Sequence, residues 1–380
     1  MAAQPQVFNT ALKHLQRTAA YTSPNSRSYD YLRTHVANSL VARLDDIKRP
    51  FPLALDLGSG PGYLSNELGA DSALTGSGGI GGVEKIVNID GCIPALERDQ
   101  HLPPSQTLVS SYNLNHSITS TPLPFPDASF DLAISSLSLH FVNDLPNLLS
   151  EVNRVLKPDG CLLFAMPGGG TLPELRSSLI LAESERKVSE RALGQKRRVR
   201  SSALAILLAA STTELTYSTY SCSLASQGGV SPRVGPFVDP TDVGTLLTSS
   251  GFKMPTVDVE DVKIGYADAY TLMRHLGGMG ESNAGVGKVE NGQGDYDTFL
   301  AASCLYREMF GELGEEGDDI LGQEEEGEGE GEEGGGGYNY VPATFQIIYG
   351  IGWKNHESQQ QPDERGSAQG KIGFVEVEKS

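Results

Sequence analysis

The sequence predicts an α/β fold, a parallel sheet with helices on both faces, and three observations predict it. Short apolar runs of strand length recur between amphipathic stretches of helical period. The first two of these runs end in an aspartate, Asp56 and Asp90. The first then breaks at once into alternating glycines, "DLGSGPG", residues 56 to 62. Strands that alternate with helices form βαβ units, and their strands lie parallel and buried on both faces.

Taken in order, residues 1–50 form an N-terminal helical segment ahead of the first strand, 53 to 57. Tyr63 to Leu68 opens a helix after the glycines, and "VEKIVNID", 83 to 90, is a second strand beyond a glycine-rich loop. "FDLAISSLSLHF", 130 to 141, begins as another strand. "LPNLLSEVNRVLKPDG", 145 to 160, places Leu148, Leu149, Val152, Val155 and Leu156 on one stripe of a helix that Pro158 to Gly160 ends. "CLLFAMPGG" is a further buried strand, and "DPTDVGTLLTSSGF", 239 to 252, is a helix capped by Asp239 or Thr241 and stopped at Gly251. "ATFQIIYGIGW", 343 to 353, alternates, with Phe345, Ile347, Tyr349, Ile351 and Trp353 on one face, and reads as a late strand at the sheet's edge.

Two segments fall outside this pattern. Residues 187–226 have a basic "KRRVR" and then no periodicity, and read as an inserted disordered segment. The loop 312–337 is acidic and glycine-rich, and it cannot bury enough apolar surface to offset the entropy of ordering. It holds twelve of the acidic residues and no Lys or Arg, which leaves −7 of the formal −19 for the rest of the chain. No basic stripe marks a nucleic-acid partner, and no apolar run approaches the roughly 18 residues that span a bilayer. Cys92, Cys161, Cys222 and Cys304 are isolated in sequence, which argues against a zinc knuckle and a secreted disulfide framework.

The glycine turn carries the chemistry. A P-loop needs a Gly-Lys-Ser/Thr ending, and no lysine stands near Gly62. A dinucleotide turn needs a third glycine where Tyr63 stands. Asp56 beside bare backbone N–H groups would repel a pyrophosphate, yet it suits a ligand with an ammonium or sulfonium group. That points to S-adenosylmethionine, with Asp90 ending the next strand to accept from the ribose diol.

"DLGSGPG", "LPFPDASFDLAISSLSLHFVNDLP" and "VLKPDG" resemble the class I S-adenosylmethionine-dependent methyltransferases. "FAMPGGGTLPELRSSLILAESER", "LGGMGESNA", "LYREMFG" and "VPATFQIIYGIGWKNHESQQQPDERGSA" are similar to the mitochondrial complex I assembly factor 5 family, over a span from about Val7 to Ala368. The resemblance implies a Rossmann-like, mostly parallel seven-stranded sheet with an antiparallel edge strand, with 51–186 as the core, 227–368 completing the same domain and 369–380 as a tail. It implies a mitochondrial enzyme of complex I assembly, in the matrix or at the inner membrane with at most peripheral membrane association. Its implied activity is hydroxylation of an arginine in an iron–sulfur subunit.

By the same resemblance, Asp56, Gly58, Ser59, Gly60 and Gly62 would line the methionine end of the cofactor, Asp90 the ribose, and Ser135 and Ser136 the reacting group. "VSSYNLNHSITSTPLPF", 109 to 125, lacks the acid that usually meets the adenine, so Asn113 or Asn115 would supply an amide. His140, just past the fourth strand, is the candidate base. Glu281, Asn283 and His356 are candidate acceptors for a guanidinium. No histidine and carboxylate spacing marks a metal site. Two other readings stand beside the hydroxylase: a methyltransferase acting on a small molecule or a carrier-bound acyl chain, and an assembly chaperone that binds S-adenosylmethionine without turnover.

Overall fold

The computed structural model describes residues 6–70, 80–99, 107–111, 122–193, 234–286, 296–313, 320–321 and 339–359. Its elements in chain order are α1 (Thr10–Thr22), α2 (Tyr31–Asp45), β1 (Leu53–Leu57), α3 (Tyr63–Ala70), β2 (Lys85–Asp90), α4 (Ile93–Arg98), β3 (Thr107–Ser111) and β4 (Phe130–Ser136). There follow α5 (Leu145–Val155), β5 (Leu156–Pro167), α6 (Pro173–Leu193), α7 (Pro240–Ser249), β6 (Phe252–Tyr266), α8 (Ala269–Gly278), α9 (Tyr296–Phe310), β7 (Glu312–Leu313), β8 (Ile320–Leu321) and β9 (Asn339–Lys354).

The sheet runs β3-β2-β1-β4-β5-β9-β6-β8, with β7 pairing β9 off that path. β1 to β5 pair in parallel, and β9 lies antiparallel between β5 and β6 at the far end of the sheet. Two of its nine strands, β7 and β8, are two residues long and are additions to the expected seven. Side chains alternate across each strand with period two. Cys161, Leu163 and Ala165 of β5 face one apolar core with Val36, Leu40 and Leu44 of α2. Leu162, Phe164 and Met166 face the other with Leu148, Leu149 and Val152 of α5. Burial on both faces is why these strands read as nearly continuous apolar runs.

Four elements differ from the sequence reading. The helix from Leu145 stops at Val155, and Lys157 to Gly160 lie in β5, because Pro158 cannot continue a helix and Asp159 is left-handed at φ 65°. The strand 343 to 353 is longer and is interior, since β6 pairs along its outer side from Phe252↔Lys354 to Tyr266↔Val341. β6 itself gave no signal, because most of its residues are exposed and its centre reads "DVEDVK". Lys187 to Leu193 continue α6, and the rest of 187–226 lies outside the described residues. Among the described residues no helix is long and apolar enough to cross a membrane.

Two glycines test the packing from opposite sides. A Cβ on Gly350 of β9 would sit 2.3 Å from the Phe164 ring of β5, whereas one on Gly244 of α7 meets nothing within 4 Å. Gly350→Ala is expected to cost about 1–3 kcal/mol by overpacking. Gly244→Ala should gain about 0.5–1 kcal/mol from helix propensity and a less flexible unfolded chain. Urea denaturation of the two variants checks both signs.

Candidate functional site

The site lies at the carboxyl ends of β1, β2 and β4, where open α/β sheets bind ligands. Gly58, Gly60 and Gly62 have φ of 71°, 58° and 96°, a run of left-handed residues that only glycine accommodates readily. The turn is sewn to β2 by Gly58 N–H and Ser59 N–H, which donate to the Ile89 carbonyl at 2.7 and 3.2 Å. The Ser59 hydroxyl reaches only the neighbouring Gly60 carbonyl, at 3.5 Å. Asp56 is wholly buried beneath the turn, and neither carboxylate oxygen has a hydrogen-bond partner. Burial and the neighbouring Asp90 push its carboxyl well above the usual carboxylate range.

Asp90 is also wholly buried, but its oxygens are taken. Oδ2 accepts from Gly60 N–H at 2.9 Å and from Arg17 Nη2 at 2.7 Å, and Oδ1 accepts from Cys92 N–H at 2.8 Å. The acid expected to face a ribose diol is therefore covered by α1. Tyr21, one turn beyond Arg17, places its hydroxyl 3.1 Å from where a Gly60 Cβ would stand. The space left beside Gly58 and Asp90 is about 40 Å3, room for a water molecule or so. Ser135 is a further correction: it is fully buried and its hydroxyl donates to the Leu57 carbonyl at 2.7 Å, so it ties β4 to β1 and presents nothing to a ligand. The Ser136 hydroxyl is buried without a partner. Asn113 and Asn115 lie outside the described residues.

A second group of side chains adjoins the turn. Glu281 accepts from Arg33 Nη2 at 2.6 Å, lies 3.3 Å from His140 Nε2 and 3.6 Å from Lys13 Nζ. Burial alone would raise its carboxyl, but Lys13, His140 and Arg33 together hold it well below the usual range. Lys13 donates to the Gly280 carbonyl at 2.6 Å and stands 3.2 Å over the Phe141 ring, and burial pushes its ammonium down to about 7. Burial likewise lowers the His140 imidazolium, so the ring is neutral near pH 7, and its Nδ1 is buried without a partner. Asn283 shapes the loop: its Oδ1 accepts from Gly285 N–H at 2.8 Å and its carbonyl from Gln16 Nε2 at 3.1 Å.

Arg33, Leu137, Phe141 and Glu281 form a wall between the small space at the glycine turn and a cavity of about 760 Å3. The structure thus brings His140 and Glu281 together from positions 141 residues apart. It leaves His356 out. That residue is exposed beyond β9, bonded to Ser358, at the amino end of the parallel strands, where Lys354 donates to the Leu156 carbonyl at 2.7 Å. Antiparallel β9 carries it to the end of the sheet opposite the turn. Sequence reasoning missed Lys13, Arg17 and Arg33, because basic residues on N-terminal helices look like a solvated face.

A strand, alternating-glycine turn and helix on a sheet of this order define a methyltransferase-fold protein, and a family model described as a methyltransferase domain matches residues 55–164. Arginine-hydroxylase NDUFAF5, mitochondrial, of Danio rerio is 34% identical over 98% of this chain and 90% of its own length, and that of Homo sapiens is 35% identical over 98% and 84%. The chain belongs to the arginine-hydroxylase NDUFAF5 family. A malonyl-[acyl-carrier protein] O-methyltransferase of Methylovorus is 25% identical over 87% of this chain and 85% of its own. S-adenosylmethionine is the cofactor of this fold class. The residues fit it in chemistry at one point, the Asp56 carboxyl, which is buried without a partner and can accept from a ligand ammonium. They fit it in volume only once α1 withdraws.

Asp56 makes the unliganded protein sensitive to pH. Its folded-state pKa lies above the unfolded value, so the native state binds the extra proton and stability falls as pH rises from about 4 through the folded pKa. Asp56→Asn is expected to abolish that fall. Denaturation midpoints of the two proteins at about pH 5 and about pH 8 test this, and an unchanged pH profile in Asp56→Asn would contradict it.

Proposed function

We propose that this protein is a mitochondrial S-adenosylmethionine-binding enzyme that acts in assembly of respiratory complex I and hydroxylates an arginine of one of its iron–sulfur subunits. Its work is in the matrix, at most peripherally on the inner membrane. Support comes from relatives called mitochondrial arginine-hydroxylases. The observation that carries the reading is Glu281, a carboxylate in the wall between glycine turn and large cavity that already holds a guanidinium, that of Arg33, at 2.6 Å. A substrate arginine entering the cavity meets a group with the geometry and charge to receive it. His140, neutral and with Nδ1 free of partners, is placed beside it to accept a proton or orient the side chain.

In this reading Asp56 receives the ammonium of the cofactor, the Gly58 to Gly62 turn lets its methionine end approach the backbone, and Asp90 receives the ribose after exchanging Arg17 for it. S-adenosylmethionine, when bound, supplies an electrophilic sulfonium centre, which carries no oxygen; the hydroxylation would therefore also consume dioxygen and two electrons from an external reductant, one oxygen atom entering a C–H bond of the arginine and the other leaving as water. The chain's own groups bind the guanidinium, orient it and keep water from it.

Mass spectrometry of the complex I iron–sulfur subunits from cells carrying wild type or Glu281→Gln tests the assignment. Wild type should add one oxygen atom to an arginine, and Glu281→Gln should lose that addition by about tenfold or more. Full hydroxylation by a stably folded Glu281→Gln would sink the guanidinium assignment, and a methyl group in place of oxygen would favour a conventional methyltransferase. One observation favours a chaperone without turnover: Arg17 seals Asp90. Calorimetry of Arg17→Met tests the seal, because its removal should tighten S-adenosylmethionine binding several-fold. Binding without any change of mass in the iron–sulfur subunits would put the chaperone first, and no binding by either protein would contradict both readings.

A further inference from the structure

The large cavity has an imbalance of charge that the arginine reading does not use. Among the described residues that line its roughly 760 Å3, the charged side chains are Arg33, Arg274 and Glu281. The rest of the lining is largely apolar, with Leu175, Leu179, Met273, Leu276, Phe299 and Phe345 among it. Glu281 is already shared by Arg33, Lys13 and His140. Arg274, on α8, has no ion-pair partner among the described residues, and its Nε is buried with no hydrogen-bond partner. Arg274 is half-buried, so its guanidinium lines the cavity without an ion-pair partner among the described residues, which suits it to an anion arriving there.

Arg274 and Glu281 are seven residues apart, with the loop after α8 turned back by the Glu281 N–H to Leu276 carbonyl bond of 2.8 Å. Both side chains line the same cavity, so one extended peptide can meet both. We propose that Arg274 is a specificity determinant of this site: it pairs with a carboxylate that the substrate carries a few residues from its arginine, while the apolar lining takes the side chains between. The proposal rests on the reading of Glu281 as the receiver of that arginine. Its substrate class is an apolar segment with one arginine and one nearby acid, not an arginine in a basic tract.

Fluorescence anisotropy of the full chain with labelled, otherwise apolar hexapeptides tests it. One peptide carries an arginine with an aspartate three residues away, one replaces the aspartate by asparagine, and one replaces the arginine by glutamine. Wild type should bind the aspartate peptide about tenfold tighter than the asparagine peptide, as a charge-assisted pair requires. In Arg274→Gln that ratio should fall to about one with the asparagine peptide's affinity unchanged, and Arg274→Lys should keep part of it. Because the asparagine peptide reports an intact site, a misfolded variant is told apart from a specific loss, and Arg274→Lys serves if Arg274→Gln does not fold. Equal binding of the aspartate and asparagine peptides by wild type, or a preference that survives in Arg274→Gln, overturns the proposal. Binding that ignores the arginine overturns the guanidinium reading instead, and no binding of any peptide overturns both.

Discussion

Two carboxylates buried side by side at the ends of β1 and β2 are the constraint on which the rest of the site depends. Asp56 and Asp90 are both fully buried, and two such acids cannot both remain charged and unpaired. The fold resolves them differently. Asp56 keeps its proton, raised by burial and by its neighbour. Asp90 is instead paired with a guanidinium, Arg17 at 2.7 Å, and with the N–H groups of Gly60 and Cys92. The glycine conformations follow, since the Gly60 N–H reaches Asp90 only because the turn is left-handed there. So does the position of α1.

Once α1 is fixed over the turn, its other side chains organise the loop after α8. Lys13 and Gln16 hold the carbonyls of Gly280 and Asn283, and Asn9 N–H donates to the Ala284 carbonyl at 2.7 Å. Glu281 is thereby brought under Lys13, Arg33 and His140. Such buried ion pairs add little net stability, because desolvation of each charge offsets most of the attraction. What they provide is position: removing one member strands the others, so a single arrangement of α1, α2 and this loop satisfies all of them. Tyr21 reinforces it, with the guanidiniums of Arg17, Arg33 and Arg98 at 5.9, 5.7 and 5.5 Å from its ring.

The parts of this that were legible in the sequence share a physical cause. β1, β2, β4 and β5 are buried on both faces and so write themselves as apolar runs, and Asp56 shows because a charge at the end of such a run has no structural excuse. His140 and Glu281 could be named singly, by residue type and by resemblance, although their meeting at 3.3 Å could not. β6 was hidden because most of its residues are exposed. The surroundings of Ser135, Asp90 and His356 could not be read from the sequence for one reason: motif position fixes where a residue sits along the chain but not which neighbour its side chain finds. A backbone carbonyl took the first, Arg17 took the second, and the antiparallel course of β9 carried the third to the wrong end of the sheet.

Arg17 and Lys13 stand one helical turn apart, and side chains at that spacing share a face of the helix. One touches the acid at the glycine turn and the other touches the acid at the cavity wall. A helix moves as a rigid body over a single turn, so a displacement of α1 that frees Asp90 also draws Lys13 away from Glu281. The carboxylate then loses one of its three cationic or hydrogen-bonding neighbours and becomes a stronger acceptor for a guanidinium arriving from the cavity. The two acids are thus joined through one turn of α1, from Lys13 to Arg17, rather than by the sheet between them. The sheet supplies the floor, and the N-terminal helix contacts both acids above it.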